Sequence, residues 1–219
     1  MKSKAPKVPK KHVVDEALAH FRLVDQVLYT AALPHVDEIK RGMKHRRAYT
    51  ELFPALAGSI VSQQLSTKAA DAIWARLEKL CGGRVTPEGL LRRRVQTLRN
   101  VGLSGAKVKT LQELSRALVE GSLVLPSLAR MQEEDAILAL TQVWGIGRWT
   151  AEMFLIFALN RPDVFSSGDL GLRRSIEKLY SLEQDCAVAI LEAHTYPWSP
   201  YRSIACRALW RIRDDTSAH

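Results

Sequence analysis

Apolar residues recur every three or four positions through most of the chain, the spacing of a helix with one buried face. In residues 13–33 the stripe is Ala17, Phe21, Val24, Val27 and Leu28, and in 48–62 it is Leu52, Leu56 and Ile60. Ser66 or Thr67 can cap a helix through Ile73, Leu77 and Leu80, which Cys81-Gly82-Gly83 would stop. Thr86-Pro87 reads as a cap followed by proline in the first turn, and Ser104 opens a helix that runs to about Gly121. Residues 133–143 place Ile137, Leu140 and Trp144 on one face, which predicts Trp144 in the core. Residues 148–159 are apolar nearly all round, as a central buried helix should be. Further helices are expected at 170–179, at 184–193, and from Ser199-Pro200 to Arg213. Alternation of period two is almost absent, and Leu123-Val124-Leu125 is too short for a strand. The expected fold class is all-α, with about ten helices joined by short connections.

Charge adds a partner to this picture. The 219 residues carry 32 Lys and Arg against 23 Asp and Glu, a net charge of +9. Such an excess points to a polyanion such as nucleic acid. Cys81, Cys186 and Cys206 are far apart and form no CxxC pair, so neither a disulfide framework nor a cysteine zinc site is suggested. The longest apolar run, residues 153–159, is far short of the roughly 20 residues a bilayer span needs. The start, MKSKAPKVPKKH, reads as a flexible basic arm over residues 1–12 and lacks the apolar segment of a signal peptide. These features fit a protein of the cytoplasm, associated with the nucleoid, or of a nucleus if the source is eukaryotic.

The candidate chemistry begins at WGIGRWTAE, residues 144–152. Gly145 and Gly147 permit positive φ and close backbone approach, with Ile146 between them as a core anchor. A helix starting here aims unpaired N–H groups and the positive end of its dipole outward, which suits a phosphate. Asp169 follows Gly147 by 22 positions, at the mouth of the next helix. On its own it would be an N-cap.

Together, LTQVWGIGRWTAEMFLIFALNRPDVFSSGDLGLRRSI resembles the signature of the helix–hairpin–helix (HhH-GPD) DNA glycosylase superfamily. Within it the chain is similar to the 3-methyladenine DNA glycosylase II (AlkA-like) family in its compact form. IVSQQLSTKAADAIW and YRSIACRALW extend the match over about residues 49–211. The resemblance implies a two-lobed helical fold with the active site in the cleft between lobes. Residues 13–62 and 166–213 would form one lobe, and residues 63–165 a central bundle with the hairpin at about 133–159.

The implied activity is monofunctional: a nucleotide is flipped out of duplex DNA and its alkylated purine, of 3-methyladenine or 7-methylguanine type, is excised by hydrolysis. Asp169 matches the family's catalytic aspartate, which stabilises a cationic sugar, activates water, or both. Trp149, Trp210, Met153 and Tyr201 fall on base-pocket positions, where indole faces suit a cationic base. Trp149 stands where lyase members carry a lysine nucleophile, so no Schiff base can form. Met153 replaces a tyrosine. Gln64 or Leu65 would fill the gap left by the flipped base. Gly145, Gly147 and Thr150 would hold a phosphate through their amides, with Arg148 and the stretch 102–109 as further phosphate contacts. Thr141, Val143 and Ile146 match main-chain carbonyls that bind a structural monovalent cation. No cofactor is required by the implied reaction, and the four clustered cysteines of an iron–sulfur member are absent from the sequence. The expected partner is double-stranded DNA with alkylated bases, met by a monomer with no membrane attachment. A glycosylase with lyase activity and a non-catalytic DNA-binding hairpin module are the alternatives.

Overall fold

The computed structural model describes residues 12–43 and 48–217. The expected basic arm falls almost wholly outside these residues. In chain order the helices are Val13–Val24 (α1), Gln26–Ala32 (α2), Val36–Gly42 (α3), Tyr49–Ser62 (α4), Thr67–Leu80 (α5), Pro87–Leu91 (α6) and Val95–Asn100 (α7). They continue with Gly105–Val119 (α8), Glu133–Thr141 (α9), Arg148–Met153 (α10), Leu170–Leu179 (α11), Val188–Thr195 (α12) and Arg202–Ser217 (α13). No strand occurs among the described residues, so the fold is all-α. None of these helices is long and apolar enough to cross a membrane.

The described residues divide into two compact units. One comprises those up to residue 43 and from Phe165 onward, the other those from 48 to Val164. The expected boundary after Ser62 is corrected here, because α4 belongs to the second unit. Its buried face, Leu52, Leu56 and Ile60, packs with α5, α8 and the Phe154–Ala158 turn of that unit.

In the first unit Val14, Phe21, Leu28, Leu172, Ile176 and Leu209 share one core. The single helix expected over 13–33 is broken at Asp25, and the break has a polar cause. Asp25 leaves helical geometry (φ −155°, ψ 88°) and caps α2, its Oδ1 accepting from Leu28 N at 2.9 Å. Its Oδ2 accepts from the Tyr180 hydroxyl at 2.6 Å and from Trp198 Nε1 at 2.7 Å. Trp198 is fully buried, so its indole N–H requires such a partner. Burial, and then the neighbouring Asp25, push the Tyr180 phenol well above its ordinary pKa. Later in this unit α12 starts at Val188 rather than near Gln184, and α13 starts at Arg202.

In the second unit the caps follow the sequence signals. Ser66 Oγ accepts from Ala69 N, Thr86 Oγ1 from Gly89 N and Ser104 Oγ from Lys107 N. Glu51 reaches back to Ala48 N at 2.8 Å at the start of α4. Pro54 lies inside this helix and has no N–H to donate one turn back. The carbonyl of Thr50 instead accepts from Arg84 Nη2 at 3.3 Å. The apolar segment after the hairpin is α10 continued by a π-helical turn, Phe154–Ala158. Its core face is buried through Ala151, Phe154, Leu155 and Ile156, whereas Trp149 and Phe157 are exposed.

Candidate functional site

In the second unit the turn between α9 and α10 is built around its two glycines. Gly145 adopts φ +83°, and Gly147 is the extended N-cap of α10 (φ −88°, ψ 169°). Ile146 between them is buried. A Cβ on Gly145 would collide with Thr110 Oγ1 from α8, whereas one on Gly147 would meet open space. The first glycine is thus required by the fold, and the second leaves its backbone open to approach.

A cavity of about 670 Å³ joins this turn to the SQQLS segment. Gly145, Gly147, Trp149 and Thr150 line it together with Gln64 and Leu65. Trp149 is 46% exposed, and Gln64 stands in a left-handed conformation (φ +55°). Thr150 is buried, with its hydroxyl accepting from Gln63 Nε2 at 3.1 Å. Met153, at the end of α10, is buried.

Three cationic side chains near the turn have partners within this unit. Arg148 donates to Glu134 at 2.9 Å and to Glu152 at 2.9 Å, so its half-exposed guanidinium is paired with two carboxylates. The bond from Arg148 holds the Glu134 carboxyl below its usual range. Lys107, within the expected phosphate-contact stretch 102–109, instead donates to the main-chain carbonyls of Val61 and Gln63. Lys109 lies over the Trp144 ring, 4.0 Å from its centroid. Trp144 is therefore not core: it is 47% exposed and lines the same cavity. Helical spacing alone placed it inward, but α9 ends at Thr141, and beyond that residue the helical phase no longer applies.

The hairpin carbonyls are compatible with a cation. Thr141 is the last residue of α9, where helix carbonyls lack intrahelical partners. The Val143 carbonyl spends one lone pair on Ile146 N at 3.0 Å and retains the other.

In the first unit Asp169 caps α11. Its Oδ1 accepts from Leu172 N at 2.8 Å and from Trp210 Nε1 at 3.2 Å, and the residue is 9% exposed. Two donors on one oxygen set the plane of the carboxyl group. Trp210 projects from α13 and is half-buried. Gly171 leaves room for the Arg213 guanidinium beside this carboxyl group, since a Cβ there would displace Arg213 Nη1 and lie 3.1 Å from Asp169 Oδ1. Tyr201 packs on this unit's core, its ring 5.6 Å from that of His20. Arg173 and Arg174 are used locally. Arg173 donates to the Cys186 carbonyl, and Arg174 pairs with Glu177 and Asp185.

Comparison with known proteins follows the same residues. Residues 57–200 match the family described as HhH-GPD superfamily base excision DNA repair protein. The chain is 36% identical over 174 residues to DNA-3-methyladenine glycosylase 1 of Schizosaccharomyces pombe, covering 78% of this chain and 75% of that protein. Among solved structures, a DNA-3-methyladenine glycosidase from Bacillus halodurans superposes with a TM-score of 0.72 at 38% identity, over 77% of this chain and 78% of that one. The Schizosaccharomyces pombe 3-methyladenine DNA glycosylase in complex with abasic DNA gives 0.70 at 29% identity, over 90% and 95%.

Proposed function

The chain belongs to the HhH-GPD superfamily of base excision DNA repair proteins, and we propose that it is a monofunctional DNA glycosylase that hydrolyses alkylated purines, 3-methyladenine and 7-methylguanine among them, from duplex DNA. The observation that carries this is the Asp169 carboxyl group, capped on α11 and fixed by the Trp210 indole N–H. A plain phosphate-binding hairpin has no use for that pair.

Asp169 acts at the sugar. Breaking an N-glycosidic bond builds positive charge on the deoxyribose, and a fixed carboxylate stabilises it or activates the attacking water. A 3- or 7-alkylated purine is itself cationic and departs readily, so recognition falls to stacking rather than to a general acid. Trp149 and Trp210 each offer an indole face to a cationic base, and Met153 and Tyr201 are further candidate base contacts. The positive net charge, the Gly147 and Thr150 amides and the exposed Lys109–Trp144 pair serve the DNA backbone. Gln64 or Leu65 occupies the space that the flipped nucleotide leaves. The carbonyls of Thr141, Val143 and Ile146 would hold a monovalent cation, which would add positive charge behind the phosphate-binding amides. The protein acts as a monomer in the compartment that holds the DNA.

The test is base release from duplexes that each carry one defined lesion. Release of 3-methyladenine and 7-methylguanine with the abasic strand left intact is the expected result. Borohydride trapping of a protein–DNA adduct would establish the lyase alternative, and binding without any release would leave only a DNA-binding module.

Trp149→Ala is expected to lower single-turnover excision of a cationic base by roughly 5- to 150-fold, since one base–aromatic stack contributes about 1–3 kcal/mol. Binding to undamaged duplex should change little. Unaltered excision would remove Trp149 from the pocket.

A further inference from the structure

The loop that carries Gln64 and Leu65 begins at an unfavourable place. Helix α4 ends at Ser62, where the last carbonyls have no N–H groups of their own helix to accept from. Gln63 is extended (ψ 129°) and Gln64 then turns left-handed, a region that residues other than glycine rarely adopt. Neither glycine nor proline eases the turn, so its stabilisation comes from outside the segment.

Two ties supply it. Lys107, on the first turn of α8, donates its ammonium to the Val61 carbonyl at 2.8 Å and to the Gln63 carbonyl at 2.7 Å, on either side of Ser62. A cation at this end of α4 also meets the negative end of the helix dipole. Partial desolvation of the ammonium held against these carbonyls lowers the Lys107 pKa. From the other side, Gln63 Nε2 donates to the buried Thr150 hydroxyl on α10. Leu65 N closes the loop onto the Ser62 carbonyl at 3.1 Å, and Ser66 caps α5. Gln64 and Leu65 remain exposed above this anchored base.

We propose that Lys107 is a positioning residue for base flipping: it caps the open end of α4 and, with the Gln63–Thr150 bond, holds the 63–65 loop in the turn that presents Gln64 and Leu65 to DNA. This rests on the assignment of that loop as the segment entering the duplex. Through Thr150 the loop is also tied to the hairpin helix, so backbone engagement at the hairpin and insertion at the loop share one support. The energetic logic is preorganisation, because a loop already held in the inserting conformation loses less freedom on binding.

The experiment uses the full chain and a duplex carrying a tetrahydrofuran abasic analogue beside 2-aminopurine, whose fluorescence rises when the neighbouring stack is invaded. Lys107→Met keeps the aliphatic stem and removes both bonds. The expected result is a fluorescence rise at saturating protein at least fivefold smaller than for the native chain, with the dissociation constant changed less than threefold. Lys107→Arg, which restores a cationic donor, should recover more than half the signal. Gln63→Leu cuts the second tie without touching Lys107 and should lower the same signal about twofold, which keeps the test decisive if Lys107→Met fails to fold. A full rise at saturation in Lys107→Met, or in Gln63→Leu where Lys107→Met does not fold, would overturn the proposal. So would a loss confined to affinity, which marks a phosphate contact. Excision of 7-methylguanine is scored on the same native preparation. If excision is absent while the fluorescence response keeps this pattern, the glycosylase assignment fails and the positioning role stands.

Discussion

Asp169→Asn is expected to lower excision about a thousandfold while leaving the fold and the affinity for DNA in place. The variant isolates charge from geometry. Asparagine keeps an oxygen where Oδ1 accepts from Leu172 N and Trp210 Nε1. As an N-cap it is about as good as aspartate, so stability should stay within roughly 0.5 kcal/mol. What disappears is a negative charge beside the cationic sugar. At about 4 Å and an effective dielectric near 20 that attraction is roughly 4 kcal/mol, which is about three orders of magnitude in rate. Removing a negative charge from a DNA-binding surface should leave affinity equal or slightly higher. Single-turnover release of 7-methylguanine, a thermal melt and a binding titration measure the three quantities separately. Excision within threefold of the native rate would remove Asp169 from the chemistry.

Why Asp169 was legible in the sequence, and Lys107 was not, is a matter of distance along the chain. The carboxylate stands 22 residues after Gly147 and beside a glycine at a helix start, a local pattern that a motif can carry. The helix stripes, the caps at Ser66, Thr86 and Ser104, and the buried Ile146 are local in the same sense. Lys107 bonds to carbonyls 44 and 46 positions away, and backbone carbonyls leave no trace in side-chain identity. Asp25 illustrates the same limit within the first unit. Its stripe neighbours suggest a continuous helix, but its partners Tyr180 and Trp198 lie 155 and 173 positions downstream.

The ion pairs of Arg148 and the exposure of Trp144 have a different origin. Each residue belongs to a type that suits DNA, or the core, on average, and a specific neighbour decides which role it takes. Arg148 sits four residues before Glu152, a spacing that favours an ion pair on a helix, and that signal was present in the sequence. Trp144 lies beyond the end of α9, so the helical phase that placed it inward no longer applied.

The second large effect is expected at Gly145, and it separates the fold of the hairpin from its use. Alanine at φ +83° costs about 1–2 kcal/mol in backbone strain. Its Cβ also collides with Thr110 Oγ1 and lies 3.1 Å from Thr110 Cβ and Cγ2. Thr110 is buried, and its hydroxyl donates to the Ala106 carbonyl at 3.0 Å, so it cannot simply turn aside. Overpacking of this kind adds about 1–3 kcal/mol. Gly145→Ala should therefore lower Tm by roughly 5–15 °C for a chain of this size, and weaken DNA binding because the turn that aims the amides is displaced. Gly147→Ala should behave oppositely. Its φ of −88° suits alanine and its Cβ meets open space, but alanine is a poorer N-cap than glycine, so the two effects offset and stability should stay within about 1 kcal/mol. DNA affinity should still fall, because the methyl group stands where a phosphate approaches the backbone. Adding Thr110→Ala to Gly145→Ala deletes Oγ1 and Cγ2 and should recover the packing loss but not the strain. A double-mutant cycle by thermal melting measures that coupling, expected at about 1 kcal/mol or more. Strict additivity of the two substitutions would mean that α8 does not press on the hairpin turn at Gly145.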